Sequence, residues 1–196
     1  MMNMDNDEAI SEYYESIMEE IQKMSNLIRE MLNSSFEGDI ILSGPMKVDS
    51  LSELLDGMKD KYMGLFWSKK ANCRFDIEDN IYINMNNEQI EQAINNYIIN
   101  AYEHIPEKGT AVVTLKSVGD KAVISVFNDG NNIKEEELNK IWQGFYQTDE
   151  RVKESNVGLG LYIVRNIVKN HNGVCYAKNH HNGVEFVMEF NRTDKY

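Results

Sequence analysis

Residues 88–104, EQIEQAINNYIINAYEH, are the stretch from which the rest of the chain can be read. Ile90, Ala93, Ile94, Tyr97, Ile98 and Ala101 recur at helical spacing and make one apolar face. Gln92, Asn96, Asn100 and Glu103 follow three or four residues apart, so they make a second stripe on the same helix. Asparagine is a mediocre helix former, yet Asn95, Asn96 and Asn100 all fall here, where glutamate and lysine ordinarily write a solvated face. A neutral amide carbonyl can sit beside a hard cation such as Mg2+ without the desolvation penalty of a carboxylate. Taken alone, the stripe reads first as a polar helix face. Features further along the chain turn it toward a ligand.

At 196 residues the chain has room for one ordinary domain and a modest extra element. Charged residues at 27% and hydrophobic ones at 42% describe a globular rather than a disordered chain. The net charge of −12 is uneven: residues 1–60 hold 14 acidic against 4 basic side chains, and the remainder 18 against 16. The C-terminal part is therefore nearly neutral and need not repel a polyphosphate, while no basic stripe argues for nucleic acid. Cys73 and Cys175 lie far apart with no neighbouring His or Cys, and read as ordinary reduced thiols. No run approaches the ~18 apolar residues of a membrane span and the N-terminus carries no signal pattern, so a cytoplasmic chain without membrane contact is expected.

Taken in order, Ile10, Tyr14, Ile17, Ile21, Met24, Ile28 and Met31 are spaced alternately four and three apart, a heptad seam that wants a partner helix. Asn33 to Gly44 breaks that pattern just before Pro45, which places a domain boundary there. Val48 to Leu51 is expected to open a second helix, capped by Asp49 or Ser50, with Leu51, Leu54, Leu55, Met58 and Tyr62 inward. Cys73–Ile77 and Ile81–Met85, separated by Glu78-Asp79-Asn80, read as a hairpin. Thr110–Ser117 and Ala122–Phe127 read as a second hairpin around Gly119-Asp120. Leu161–His171 reads as a helix with Ile163, Val164, Ile167 and Val168 inward, and Val174–Asn179 and Val184–Phe190 as two closing strands. The expected fold class is α/β, one mixed sheet covered on one face by three helices, preceded by a long heptad-patterned helix.

Three features follow the asparagine helix. Val126-Phe127-Asn128-Asp129-Gly130 ends a buried strand in short polar side chains and a glycine, able to read a base edge. Val157-Gly158-Leu159-Gly160-Leu161 runs straight into a helix, where backbone N–H groups can approach a phosphate. The polar segment between them has the composition of a lid. A lone Gly-x-Gly is more often a tight turn than a phosphate cradle. In this order and spacing the three together are a strong signal.

These residues resemble the ATP-binding domain of two-component sensor histidine kinases, in the Bergerat (GHKL) group that also includes gyrase. Residues 95–104, NNYIINAYEH, look like the N box; 126–133, VFNDGNNI, the G1 box; 141–149, IWQGFYQTD, the F box; and 157–173, VGLGLYIVRNIVKNHNG, the G2 box. The likeness covers roughly residues 48–193, and residues 7–32 are similar to the second helix of the family's dimerisation bundle. It divides the chain into a partial dimerisation helix with linker, 1–44, and a catalytic domain, 45–196.

The resemblance implies ATP and Mg2+ as ligands, the metal on Asn100 with Asn96 shaping the same site. It implies nucleotide contacts from His104, Asn128, Gly130, Ile133, Phe145, Tyr146, Gly158, Leu159, Gly160 and Leu161, with Glu103, Gln147, Arg151 and Lys153 beside the phosphates or in the lid. Departures from the family pattern are Asn128 for its acidic residue, Glu103 and Gln147 where cations are common, and Asn156 and Val157 in G2. An amide carbonyl accepts from an exocyclic amine less strongly than a carboxylate. The implied reaction is transfer of the ATP γ-phosphoryl to histidine. None of His104, His171, His180 and His181 sits in the family's phosphoacceptor context, so the expected chain is a C-terminal portion of a longer, membrane-anchored sensor that does not phosphorylate itself. A response regulator and a second copy of the chain are the implied partners. Two alternatives stay open: a degenerate binding module holding nucleotide weakly or not at all, and a serine kinase of the anti-sigma type.

Overall fold

The computed structural model describes residues 44–146 and 158–194. The heptad seam and Gln147, Arg151, Lys153, Asn156 and Val157 lie outside the described residues. The elements run β1 (Lys47–Ser50), α1 (Leu51–Ser68), β2 (Asn72–Ile77), β3 (Tyr82–Met85), α2 (Asn87–His104), β4 (Thr110–Val118), β5 (Lys121–Asn128), α3 (Gly160–Asn170), β6 (Val174–His180) and β7 (Gly183–Asn191).

Five strands form one mixed sheet in the order β2-β4-β5-β7-β6, parallel only between β2 and β4. β1 and β3 form a separate antiparallel pair. The inward faces of β4, β5 and β7 meet in register, with Val113 opposite Val126 and Val126 opposite Phe186. Over β2, α1 lays Leu51, Leu55, Met58, Tyr62 and Phe66; over β4 and β5, α2 lays Ile90, Ala93, Ile94, Tyr97, Ile98 and Ala101; and over β6 and β7, α3 lays Val164, Ile167 and Val168, all buried. Helices on one face of a mixed sheet is the expected two-layer architecture.

Local chemistry explains the element ends. Ser50 caps α1, its Oγ accepting the Glu53 N–H at 3.1 Å, and Asn86 caps α2 by accepting from Gln89 N–H at 3.1 Å. α2 stops at Ile105, held extended before Pro106. Gly119 takes φ +61° at the first position of the two-residue β4–β5 turn.

Two expectations are corrected. Residues 47–50 are a strand and α1 begins at Leu51, so Val48 and Asp49 pair with Asn84 and Ile83 instead of opening the helix. Cys73–Ile77 and Ile81–Met85 are strands but not a hairpin: β2 runs parallel to β4, Asn72 beside Thr110, while β3 turns to β1. The Ser52 hydroxyl explains the divergence. It donates to the Glu78 carbonyl at 2.7 Å and accepts from Ile81 N–H at 3.0 Å, spanning the reversal at Asn80 (φ +61°) and drawing β3 to the α1 side. Glu78 N–H meanwhile continues the β4 ladder to the Leu115 carbonyl at 3.0 Å.

Candidate nucleotide site

Asn95, Asn96 and Asn100 of α2 divide their work. Asn95 faces α1 and accepts a hydrogen bond from the Tyr62 hydroxyl. Asn96 and Asn100 instead line a cavity of about 620 Å3 between α2, the start of α3 and the segment after β5. Glu103 and His104 extend the same wall to the helix end, whereas Gln92 is exposed elsewhere. The stripe is therefore a cavity wall over its C-terminal two turns.

Opposite it, Gly158, Leu159, Gly160 and Leu161 line the cavity where α3 begins. Leu159 stands at the N-cap of α3 and makes no side-chain cap, so the first amides of the helix keep their donor capacity. Gly158 has φ +71°, and a Cβ there would lie 2.8 Å from the Tyr146 carbonyl oxygen, so only glycine fits. Gly130 is needed for a different reason: a Cβ would overlap the His104 carbonyl, so its backbone packs directly on the end of α2.

Ile133 and Tyr146 complete the expected residues on the wall. The Tyr146 hydroxyl is pushed above its usual pKa by burial and by the Glu137 carboxylate, to which it is hydrogen-bonded. Phe145 lies beside the wall rather than on it, in a left-handed conformation (φ +65°), its N–H donating to the Gly158 carbonyl at 2.8 Å. Trp142 is core: buried, and edge-on to both Tyr97 and Phe186.

Asn128 ends β5, fully buried and not among the residues that line the cavity, and neither amide atom has a partner among the described residues. Asn96 Nδ2 is likewise buried without one. Asp129 is already engaged: its Oδ2 accepts the Thr110 N–H at 2.8 Å. Sequence reasoning missed Asn131, Asn132, Lys134, Glu137, Val184 and Phe186 on the wall. Asn131 and Asn132 lie in the G1-like stretch, which by itself assigns them no contact, Lys134 and Glu137 lie in the polar segment after it, and the last two arrive from β7 through tertiary pairing, with no local signal to mark them.

A wider depression of about 870 Å3 lies between α1 and the β2–β3 reversal. Glu53, Asp56, Asp76 and Asp79 line it, with Lys59 the one cation, so it repels a polyphosphate. Among the described residues no cluster of three or more His, Cys, Asp or Glu could hold a metal, and no helix is long and apolar enough to cross a membrane.

A polar-ended cavity set between two helices and bordered by glycines at a helix N-terminus defines a nucleotide-binding α/β sandwich. The family model described as "Histidine kinase-, DNA gyrase B-, and HSP90-like ATPase" matches residues 85–194, and the chain belongs to this family. Sporulation kinase C of Bacillus subtilis (strain 168) is 28% identical over 168 residues, 83% of this chain and 36% of that protein. The nucleotide-free catalytic domain of histidine kinase ThkA superposes with TM-score 0.69 at 27% identity, over 76% of this chain and 97% of that one. Histidine kinase ThkA in complex with the response regulator TrrA shares the fold, with TM-score 0.70 at 24% identity, over 94% of this chain and 52% of that one. The domain is an ATP-binding catalytic domain of the histidine kinase type. The chain spans between 18% and 41% of the lengths of the curated relatives it matches.

Proposed function

We propose that this chain binds Mg-ATP in the cavity between α2 and α3 and presents the γ-phosphoryl group to a histidine on a bundle helix, as the catalytic portion of a sensor histidine kinase. The convergence of Asn96, Asn100 and the Gly158–Gly160 backbone on one cavity carries the proposal. The residues fit a nucleotide. Buried amides at Asn96 and Asn128 have no partner among the described residues, and such groups are stable only when hydrogen-bonded. Asn128 supplies both a carbonyl acceptor and an amine donor toward a base edge.

The α3 amides would hold phosphate oxygens, and Leu159, Leu161, Ile133 and Tyr146 would exclude water around them. Magnesium fits as well: the Asn100 carbonyl is a hard oxygen donor, and Mg2+ needs only one or two protein oxygens beside phosphate and water. When bound, it would neutralise phosphate charge during transfer. His104 would border the base, and Glu103 makes the phosphate end less cationic than a lysine there would. Arg151, Lys153 and Gln147 belong to the proposed lid. The proposal extends to residues 1–44 as a dimerisation helix pairing with a second copy, to a response regulator as phosphoryl recipient, and to a cytoplasmic face of a membrane-anchored protein.

Calorimetric titration of ATP with and without Mg2+ tests the core of this. Magnesium-dependent binding is expected, and Asn100→Ala abolishes it while leaving the circular dichroism spectrum and melting temperature unchanged. Unaltered affinity in that variant removes Asn100 from the site; no heat at millimolar ATP for the wild-type chain favours the degenerate binding module.

A further inference from the structure

One wall of the cavity, residues 131–133, has no helix or strand of its own, and its described hydrogen bonds are made with the end of β6. Asn179 Oδ1 accepts the Ile133 N–H at 3.0 Å, and its Nδ2 donates to the Ile133 carbonyl at 2.6 Å. One side chain thus satisfies both backbone groups of one residue, as a neighbouring strand does. The same Nδ2 reaches Glu135 Oε1 at 3.3 Å, and Asn132 Nδ2 donates to the His180 carbonyl at 3.0 Å. The anchor is itself rigid. Asn179 pairs with Val184, which pairs in turn with Asn128. Beside it His180 stands edge-on to Phe127 and bonds Glu185 at 2.9 Å.

On the reading that a nucleotide fills this cavity, we propose that Asn179 is a positioning residue for it. Asn179 touches the wall and not the cavity, and acts through Ile133. Held by two hydrogen bonds, the Ile133 backbone keeps one conformation before ligand arrives. Without them the segment must be ordered at the moment of binding, and that entropy is subtracted from affinity. An aspartate at 179 separates this role from simple space filling. It has the shape of asparagine and keeps the acceptor for Ile133 N–H, but it loses the donor and sets a carboxylate against the Ile133 carbonyl and Glu135.

The test measures ATP affinity by calorimetry and hydrogen exchange at the Ile133 amide in the wild-type chain, Asn179→Ala and Asn179→Asp. Expected are a protected Ile133 amide in the wild type, loss of that protection in Asn179→Ala and a smaller loss in Asn179→Asp, which keeps the acceptor for that amide, and in both variants a dissociation constant raised about tenfold, the net worth of one to two hydrogen bonds. Amides of β5 and β7 keep their protection in both variants. Three results overturn the proposal: unchanged affinity in both variants while the wild type binds, an Asn179→Asp chain indistinguishable from wild type, or an affinity loss accompanied by general loss of protection in the core. A wild-type chain that binds no ATP removes the nucleotide itself, and this role with it; that outcome is distinct from unchanged affinity.

Discussion

Substituting His171 by leucine weakens the junction of the two helices that flank the proposed nucleotide cavity. His171 follows α3 and is 7% exposed. Its Nδ1 donates to the Ile167 carbonyl at 2.7 Å, and its Nε2 accepts the N–H of Asn86, the cap of α2, at 3.1 Å. Both bonds together require the neutral ring with its proton on Nδ1. Leucine keeps the volume packed on Phe190 but leaves the Asn86 N–H without its acceptor. The Ile167 carbonyl suffers less, because the His171 backbone N–H still reaches it at 3.1 Å. One partly buried unpaired donor and one lost bond cost about 2 kcal/mol together. For a chain of this size that lowers the melting temperature by about 4–8 °C.

The pH dependence makes the test sharper. Burial holds the His171 pKa below its ordinary value, more than the Ile167 carbonyl raises it. Above about pH 6.5 the ring is neutral both folded and unfolded, and its contribution is complete. As pH falls below that, the unfolded chain takes up a proton that the folded one refuses. Stability is then lost at up to about 1.4 kcal/mol per pH unit, until pH passes the folded pKa. His171→Leu lacks this loss, and every other side chain is common to the two proteins. Urea unfolding at pH 7.5, 6.5, 5.5 and 5.0 should show the gap between the two proteins narrowing as pH falls. Parallel profiles, or a difference below about 0.5 kcal/mol at pH 7.5, would refute the tautomer argument.

Two further outcomes follow from the same geometry. Gly158→Ala forces a side chain into a left-handed backbone against the Tyr146 carbonyl, so it should lose at least about 1–2 kcal/mol in urea unfolding together with ATP affinity; a neutral substitution contradicts the assigned conformation. Burial pushes the Cys73 and Cys175 thiols up to about 11, so at pH 8 a thiol reagent should modify the native chain at least about 100-fold more slowly than the urea-unfolded one; equal rates contradict the burial.

Periodicity made α2 legible, because its apolar face, Ile90 to Ala101, is repeated over roughly three turns and every member is buried. The β4–β5 hairpin was legible because Gly119-Asp120 supplies its turn; in the β6–β7 hairpin Asn182-Gly183 marks the reversal in sequence, while the turn itself is His181-Asn182 and Gly183 already pairs with His180. The supposed hairpin of β2 and β3 failed for the converse reason. Glu78-Asp79-Asn80 is a plausible turn, but a short alternating strand pairs with whichever edge the tertiary fold offers, and here β4 and β1 were those edges. Asn95 shows the same limit on a helix: it carries the same residue type as Asn96, one position away, and serves α1.

By itself the sequence marked the residues proposed to meet a nucleotide: amides at helical spacing, glycines before a helix, and short polar side chains at a strand end. Those depend on local backbone geometry and on residue chemistry, which are written in neighbouring positions. Only the tertiary structure decided that Asn96 and Asn100 face Gly158 and Gly160 across one cavity, that Val184 and Phe186 line it, and that Asn179 holds Ile133 from 46 residues away. These contacts are fixed by strand order and register. Both emerge when the whole apolar face closes at once, and no single segment encodes them.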